Sequence, residues 1–155
     1  ILQRAHAHQG ASFVEIYTNC IVYNDGAFGS FAEKTTAADG ELVLENGQPM
    51  IFGKDNDKGI RMKPGAIELE VVQLGVDGIT EADLLCHDET NRVLAGLLGA
   101  MRNPDFPVAI GVLYCENAEA YDSAVYQQVD AARAAGSRAD INALLRSGAT
   151  WMVGG

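Results

Sequence analysis

Long apolar runs are missing from this sequence. A stretch such as Asn91–Met101 is interrupted by Arg92, Gly96 and Gly99, well short of the roughly 20 apolar residues that a membrane-spanning helix requires. Basic residues are scarce too, with 11 Lys+Arg against 21 Asp+Glu and a formal net charge of −10. A surface that acidic repels phosphate backbones and anionic lipid, and no basic stripe offsets it. Nucleic acid and membrane are therefore excluded as partners. Cysteine is sparse: positions 20, 86 and 115 form no close pair, and an odd, widely spaced set does not make a secreted disulfide framework. A reduced, cytoplasmic setting is expected. No glycine-rich phosphate loop of Walker or dinucleotide type occurs, and the 17 glycines are spread among turns. The first ten residues lack the apolar core and cleavage site of a signal peptide. The chain starts on Ile1-Leu2 rather than Met, which reads as mid-helix, so a piece of a longer protein is expected.

What remains is an ordinary globular composition. The 155 residues are 48% hydrophobic and 21% charged, enough to bury one sizeable core. Ile1–Gln9 reads as the end of a helix closed by Gly10. Ala11–Tyr17, rich in β-branched and aromatic residues, reads as a strand. Helix, glycine and buried-looking strand make half of an αβ unit of a doubly wound parallel sheet, where ligands collect beyond the carboxyl ends of strands. Thr18-Asn19-Cys20 sits at such an end.

Gly26–Gly40 is expected to be irregular, with one helical turn near Phe31–Lys34. Glu41–Leu44 and Gln48–Phe52 flank Asn46-Gly47, a strong short-range hairpin signal. Gly53–Gly59 is a charged loop, followed by strands at Ile60–Met62 and Ile67–Leu74. Asp83–Cys86 is a short strand candidate, and Asp88 or Thr90 would cap a helix over Asn91–Arg102. The three- and four-residue steps of Leu94, Leu97, Leu98 and Met101 give that helix an apolar face, and Pro104 and Pro107 end it. Val108–Tyr114 is a further strand, with helices over Ala118–Ala135 and Asp140–Arg146. The fold class is α/β.

Several residues invite chemical readings. His6 and His8 would point in different directions on a helix, which favours exposed polar positions over a metal pair. Cys86-His87 is adjacent in sequence, whereas nucleophile–base pairs are usually assembled from distant segments. A strand end turning into a capped helix accounts for it better. Asp55-Asn56-Asp57 lacks the glycine and terminal glutamate of a calcium loop and reads as a solvated turn. On spacing alone Cys20 is a small buried hydrophobe, because a cluster site needs four thiolates and this is one.

The ordered series His8-Gln9-Gly10-Ala11-Ser12-Phe13-Val14-Glu15-Ile16-Tyr17-Thr18-Asn19-Cys20, Asn24–Phe28, Asn46–Gly53, Leu74–Thr80, His87–Glu89, Phe106–Gly111 and Leu144–Trp151 resembles the β subunits of 2-oxoacid:ferredoxin oxidoreductases, most of all the 2-oxoglutarate type. The resemblance covers nearly the whole chain. It implies that residues 1–30 end a thiamine-diphosphate-binding domain of doubly wound parallel-sheet type and that 31–155 form a C-terminal α+β extension with a β-hairpin. It implies an enzyme that decarboxylates a 2-oxoacid oxidatively to acyl-CoA and passes electrons through a [4Fe–4S] cluster to ferredoxin. Thiamine diphosphate, Mg²⁺ and the cluster are the cofactors; the α subunit, ferredoxin, the 2-oxoacid and coenzyme A are the partners. Cys20 matches the fourth cluster cysteine. Many relatives have Pro after it where this chain has Ile21, while Cys86 and Cys115 match no ligand. The other three cluster cysteines and the Gly-Asp-Gly motif would lie before Ile1, so no cofactor is expected on this chain alone and it is expected to be inert. The alternative is a non-catalytic module, the segment after Gly40 docking a partner subunit or ferredoxin.

Overall fold

The computed structural model describes residues 1–136, 140–151 and 153–154, and the chain divides into two compact units. The first comprises Ile1–His8 and Ser12–Asn117. It opens with helix α1 (Leu2–Ala7), and two single-turn helices follow, α2 (Gly29–Ala32) and α3 (Ala37–Gly40). The end of α3 rests directly on α2. A Cβ at Gly40 would lie 2.7 Å from both Cα and Cβ of Phe31, so only glycine fits this approach.

Strand β1 (Glu41–Leu44) leaves α3 at once. Its alternation places Leu42 and Leu44 inside and Val43, 61% exposed, outside, the period-2 pattern of a strand with one buried face. β1 pairs in parallel with β5 (Val108–Gly111), Leu42 opposite Ala109. A second, antiparallel sheet has the order β2 (Ile51–Phe52), β3 (Lys58–Met62), β4 (Leu69–Gln73), with Ile60 opposite Val71. Gly59 on β3 gives room to Leu84, whose Cδ atoms would lie 2.5 Å from any Cβ there. Helix α4 (Arg92–Ala100) lays Leu94 and Leu98 on a core made with Leu42, Leu44, Met50, Phe52 and Ile60.

The mixed α/β character holds, with one parallel strand pair and one antiparallel sheet. The hairpin is present, but as β3–β4, closed by Lys63 N–H to Glu68 O at 2.8 Å. The expected hairpin across Asn46-Gly47 does not form. The turn itself does, with Gly47 at φ 79° and its N–H donating to His87 O, yet β1 spends its ladder on β5 and β2 on β3. Asn-Gly specifies a local reversal, not the strand each arm then finds.

Ala11–Tyr17 is not a strand among the described residues. Its composition suits one, but strand structure needs a neighbouring ladder, and none pairs with it here. Asp83–Cys86 is partly right: a 3-10 turn over Glu81–Asp83, boxed by Thr80 and Asp83, precedes a single bridge from Cys86 to Pro49. Asn91, not Asp88 or Thr90, caps α4 by accepting from Val93 and Leu94 N–H. Asp88 instead holds the Thr90 N–H at 2.9 Å.

The second unit comprises Gln9–Ala11 and Ala118–Gly155. It contains α5 (Tyr121–Ala134) and α6 (Ile141–Leu145), both where the sequence places them, α6 capped by Asp140 at 2.9 Å from the Asn142 N–H. Neither helix buries a described residue. Among the described residues no helix is long and apolar enough to cross a membrane.

Truncating Leu42, which is 0% exposed, to Ala should cost about 2–5 kcal/mol. Val43→Ala, one residue along on the solvent face, should change stability by no more than about 0.5 kcal/mol. Urea denaturation of the two variants checks this, and equal costs would mean that the assigned core face of β1 is wrong.

Candidate functional site

Cys20 lies in a tight loop whose two ends are held together by side chains and backbone. Asn24 N–H donates to Cys20 O at 2.9 Å, and the two residues form an isolated antiparallel bridge. Asn19 acts twice: its Nδ2 donates to Asp25 Oδ1 at 2.9 Å and its Oδ1 accepts from the Gly26 N–H at 3.0 Å. Below the loop, the rings of Tyr17, Phe28 and Phe31 meet at centroid separations of 5.2 Å, 5.3 Å and 5.8 Å, with Phe31 buried. Aromatic packing of this kind fixes the chain entering and leaving the loop.

The electrostatics of the loop converge on sulfur. The backbone N–H of Tyr23, then that of Val22, hydrogen-bonds the Cys20 sulfur and holds the thiol below its ordinary pKa, with Asn24 adding a smaller contribution. The cysteine is exposed, so it is not the buried hydrophobe that spacing alone favours. Ile21, Val22 and Tyr23 beside it are 78%, 76% and 91% exposed. An accessible sulfur ringed by N–H donors is suited to binding a soft metal as thiolate. Among the described residues no group of three or more His, Cys, Asp or Glu gathers to hold a metal ion. By itself the Cys20 thiolate is one potential ligand, short of the four that a [4Fe–4S] cluster takes. The sequence contains no Gly-Asp-Gly motif of the kind that anchors thiamine diphosphate.

The other sequence candidates separate. Cys86 is exposed, whereas His87 is 1% exposed with Nε2 2.8 Å from Val112 O, so this adjacent pair is not a nucleophile and its base. His87 Nδ1 is buried without a partner among the described residues. His6 is exposed, as expected for a helix end. His8, however, brings Nδ1 to 3.9 Å from Cys115 Sγ. This contact spans the whole unit, and no local signal could have revealed it. Beside it, Arg4 reaches both carboxylate oxygens of Glu89 at 2.9 Å and 2.7 Å. Arg4, hydrogen-bonded first and by charge second, holds the Glu89 carboxyl below its ordinary range.

No family model matches the chain, and no solved structure does. Among curated proteins, a 2-oxoglutarate oxidoreductase subunit, KorB of Mycobacterium tuberculosis, is 28% identical over 156 residues. The match covers 99% of this chain and 41% of that protein's length. The chain is similar to a 2-oxoglutarate oxidoreductase subunit. The resemblance carried by the ordered segments from His8 to Trp151 is thus borne out.

The Arg4–Glu89 pair yields a pH test. A carboxyl whose folded pKa is depressed stabilises the fold above its unfolded pKa, and that contribution is lost as pH falls through the lower folded value. Arg4→Met should lower the urea midpoint at pH 7, and the gap to the parent should close as the pH falls through the lowered folded-state pKa of Glu89. A gap that does not narrow at all on acidification would assign the effect of Arg4 to packing instead of charge.

Proposed function

We propose that this chain is the C-terminal part of the β subunit of a 2-oxoacid:ferredoxin oxidoreductase, with 2-oxoglutarate the favoured substrate, and that Cys20 supplies one thiolate of its [4Fe–4S] cluster. The similarity to the 2-oxoglutarate oxidoreductase subunit along 99% of the chain carries the reading, and the donor-rich surroundings of the Cys20 sulfur support it. On this reading residues 1–30 end the thiamine-diphosphate-binding domain and 31–155 are its extension. The complete subunit, in the cytoplasm, carries thiamine diphosphate and Mg²⁺, works with an α subunit, and delivers electrons to ferredoxin and an acyl group to coenzyme A.

When bound, the cluster would supply one-electron transfer from the substrate as it is oxidised to ferredoxin. This chain's residues hold and tune it. The Asn19–Asp25–Gly26 lock and the Tyr17–Phe28–Phe31 packing fix where the Cys20 sulfur stands. The N–H groups of Tyr23 and Val22 withdraw charge from that sulfur, which favours the reduced cluster. Ile21 and Val22, exposed in this chain, exclude water from the cluster once covered by the rest of the subunit.

A second reading, docking of a partner subunit by the segment after Gly40, draws on its C-terminal side chains. Tyr121, Tyr126, Ile141, Leu144, Leu145 and Trp151 are all 68% or more exposed, more apolar surface than a solitary chain usually leaves open.

In the complete subunit, Cys20→Ala should abolish the broad visible iron–sulfur absorbance and reduce bound iron from about four atoms to near zero. Retained absorbance and iron would remove Cys20 from the ligand set. The coding sequence on the N-terminal side of Ile1 should contain Cys-x-x-Cys and Gly-Asp-Gly motifs, and their absence would sink the oxidoreductase reading itself.

A further inference from the structure

Away from the Cys20 loop, folding brings one thiol and one imidazole together. His8 Nδ1 lies 3.9 Å from Cys115 Sγ, across 107 positions of the chain. Both residues belong to the first unit, and both are partly exposed. Local structure on each side makes the meeting. Arg4 and His8 stand one turn apart, the His8 N–H donating to Arg4 O at 3.0 Å where α1 ends, so the two side chains can reach one neighbouring segment. On that segment the Cys115 N–H donates to Glu89 O at 2.7 Å. The cysteine is thereby set next to the residue whose carboxylate Arg4 grips at 2.9 Å and 2.7 Å.

The nucleophile of a cysteine is its thiolate, which forms where a base can take the proton and a cation stands near. His8 supplies the base: with the ring proton on Nε2, Nδ1 is an acceptor facing the sulfur. Arg4 supplies the cation. Its pKa is raised first by the hydrogen bond to Glu89 and then by the Glu89 charge, and a negative charge at Cys115 adds to the same effect. Cys86 is the opposite case. It is exposed, but its neighbour His87 is turned into the core with Nε2 on Val112 O.

We propose that Cys115 is a site of reversible mixed-disulfide formation with low-molecular-weight disulfides, and that His8 is its proton acceptor. Cys115 Sγ gives its proton to His8 Nδ1 and attacks one sulfur of the disulfide. The S–S bond of the small molecule breaks as a new S–S bond to Cys115 forms. The other half leaves as a thiolate and collects the proton from His8. The protein sulfur is oxidised and the leaving sulfur reduced, so the step needs no further electron acceptor, and a free thiol reverses it. The site is independent of Cys20 and stands or falls separately from the oxidoreductase reading.

The test exposes the full chain at pH 7 to 2-hydroxyethyl disulfide, a neutral probe, and follows each cysteine separately by peptide mass spectrometry. Access alone ranks the exposed Cys86 ahead of the partly buried Cys115, whereas the proposal ranks Cys115 first in the parent chain. His8→Gln keeps a polar side chain at the end of α1 but removes the base. It should slow Cys115 about tenfold and leave Cys86 unchanged. In urea, where the pair is taken apart, the parent and His8→Gln should react alike at Cys115. Dithiothreitol should return the modified parent to its free thiol. Cys115 reacting no faster than Cys86 in the parent would overturn the proposal without recourse to any variant. An unchanged Cys115 rate in folded His8→Gln, or a difference that persists in urea, would overturn it as well.

Discussion

The first unit depends on the backbone of one short irregular stretch, Leu84–Glu89. Met50 N–H donates to Leu85 O at 2.9 Å, Leu85 N–H to Ile60 O at 2.9 Å, and Ile60 N–H to Met50 O at 3.0 Å, a closed ring of three bonds. The ring ties the approach to β2, the middle of β3 and the chain leading to α4, with Met50 and Ile60 both at the centre of the core. Buried backbone groups left unpaired are costly. The ring therefore pairs the backbone of Met50, Ile60 and Leu85 at the core outside the β2–β3 ladder. The same stretch continues outward: His87 N–H reaches Gln48 O, Gly47 N–H reaches His87 O, and Cys115 N–H reaches Glu89 O. Arg4 on α1 then closes on the Glu89 side chain. One six-residue segment thus anchors the first helix, the Asn46-Gly47 turn, the β2–β3 core and the chain beyond β5.

Much of this was legible in the sequence and some was not, for definite physical reasons. α4 and the core-facing choice of Leu94 and Leu98 follow from three- and four-residue spacing, and β3, β4 and β5 from short β-rich runs between turn residues. These are local patterns, and local patterns survive folding when burial agrees with them. Pairing is not local. The parallel match of β1 with β5 joins residues such as Leu42 and Ala109, and nothing near Asn46-Gly47 announces that β1 will prefer it. The Leu84–Glu89 stretch has no periodicity, because it works through backbone atoms that every residue carries.

The Cys20 loop shows the reverse balance. Spacing favoured a buried thiol, and family resemblance alone made it a ligand candidate. The structure leaves the sulfur accessible and turns the Tyr23 and Val22 N–H groups toward it. Those donors come from main chain folded by the Asn19, Asp25 and Gly26 contacts, so the residue types of 21–23 need not reveal them. This bears on the Ile21 departure from the proline common among relatives of the family it resembles. The donors at the sulfur belong to Val22, Tyr23 and Asn24, not to position 21. A proline at position 21 would then remove none of these donors.

Charge gives the loop's design a wider context. A cluster held by four thiolates is itself anionic, and on the proposed reading it would sit in a chain of net charge −10. Each added electron is then placed against an unfavourable field. Among the described residues Arg4, Lys58, Arg61, Lys63, Arg92 and Arg133 are each engaged by a carboxylate, which blunts the field they offer. Neutral dipoles aimed at sulfur are a further means, and their field falls off too quickly to disturb the acidic surface a few residues away. On the proposed reading, the N–H groups at Cys20 can therefore favour reduction locally while the exterior stays acidic, and an exposed lysine placed beside the sulfur would compromise that separation.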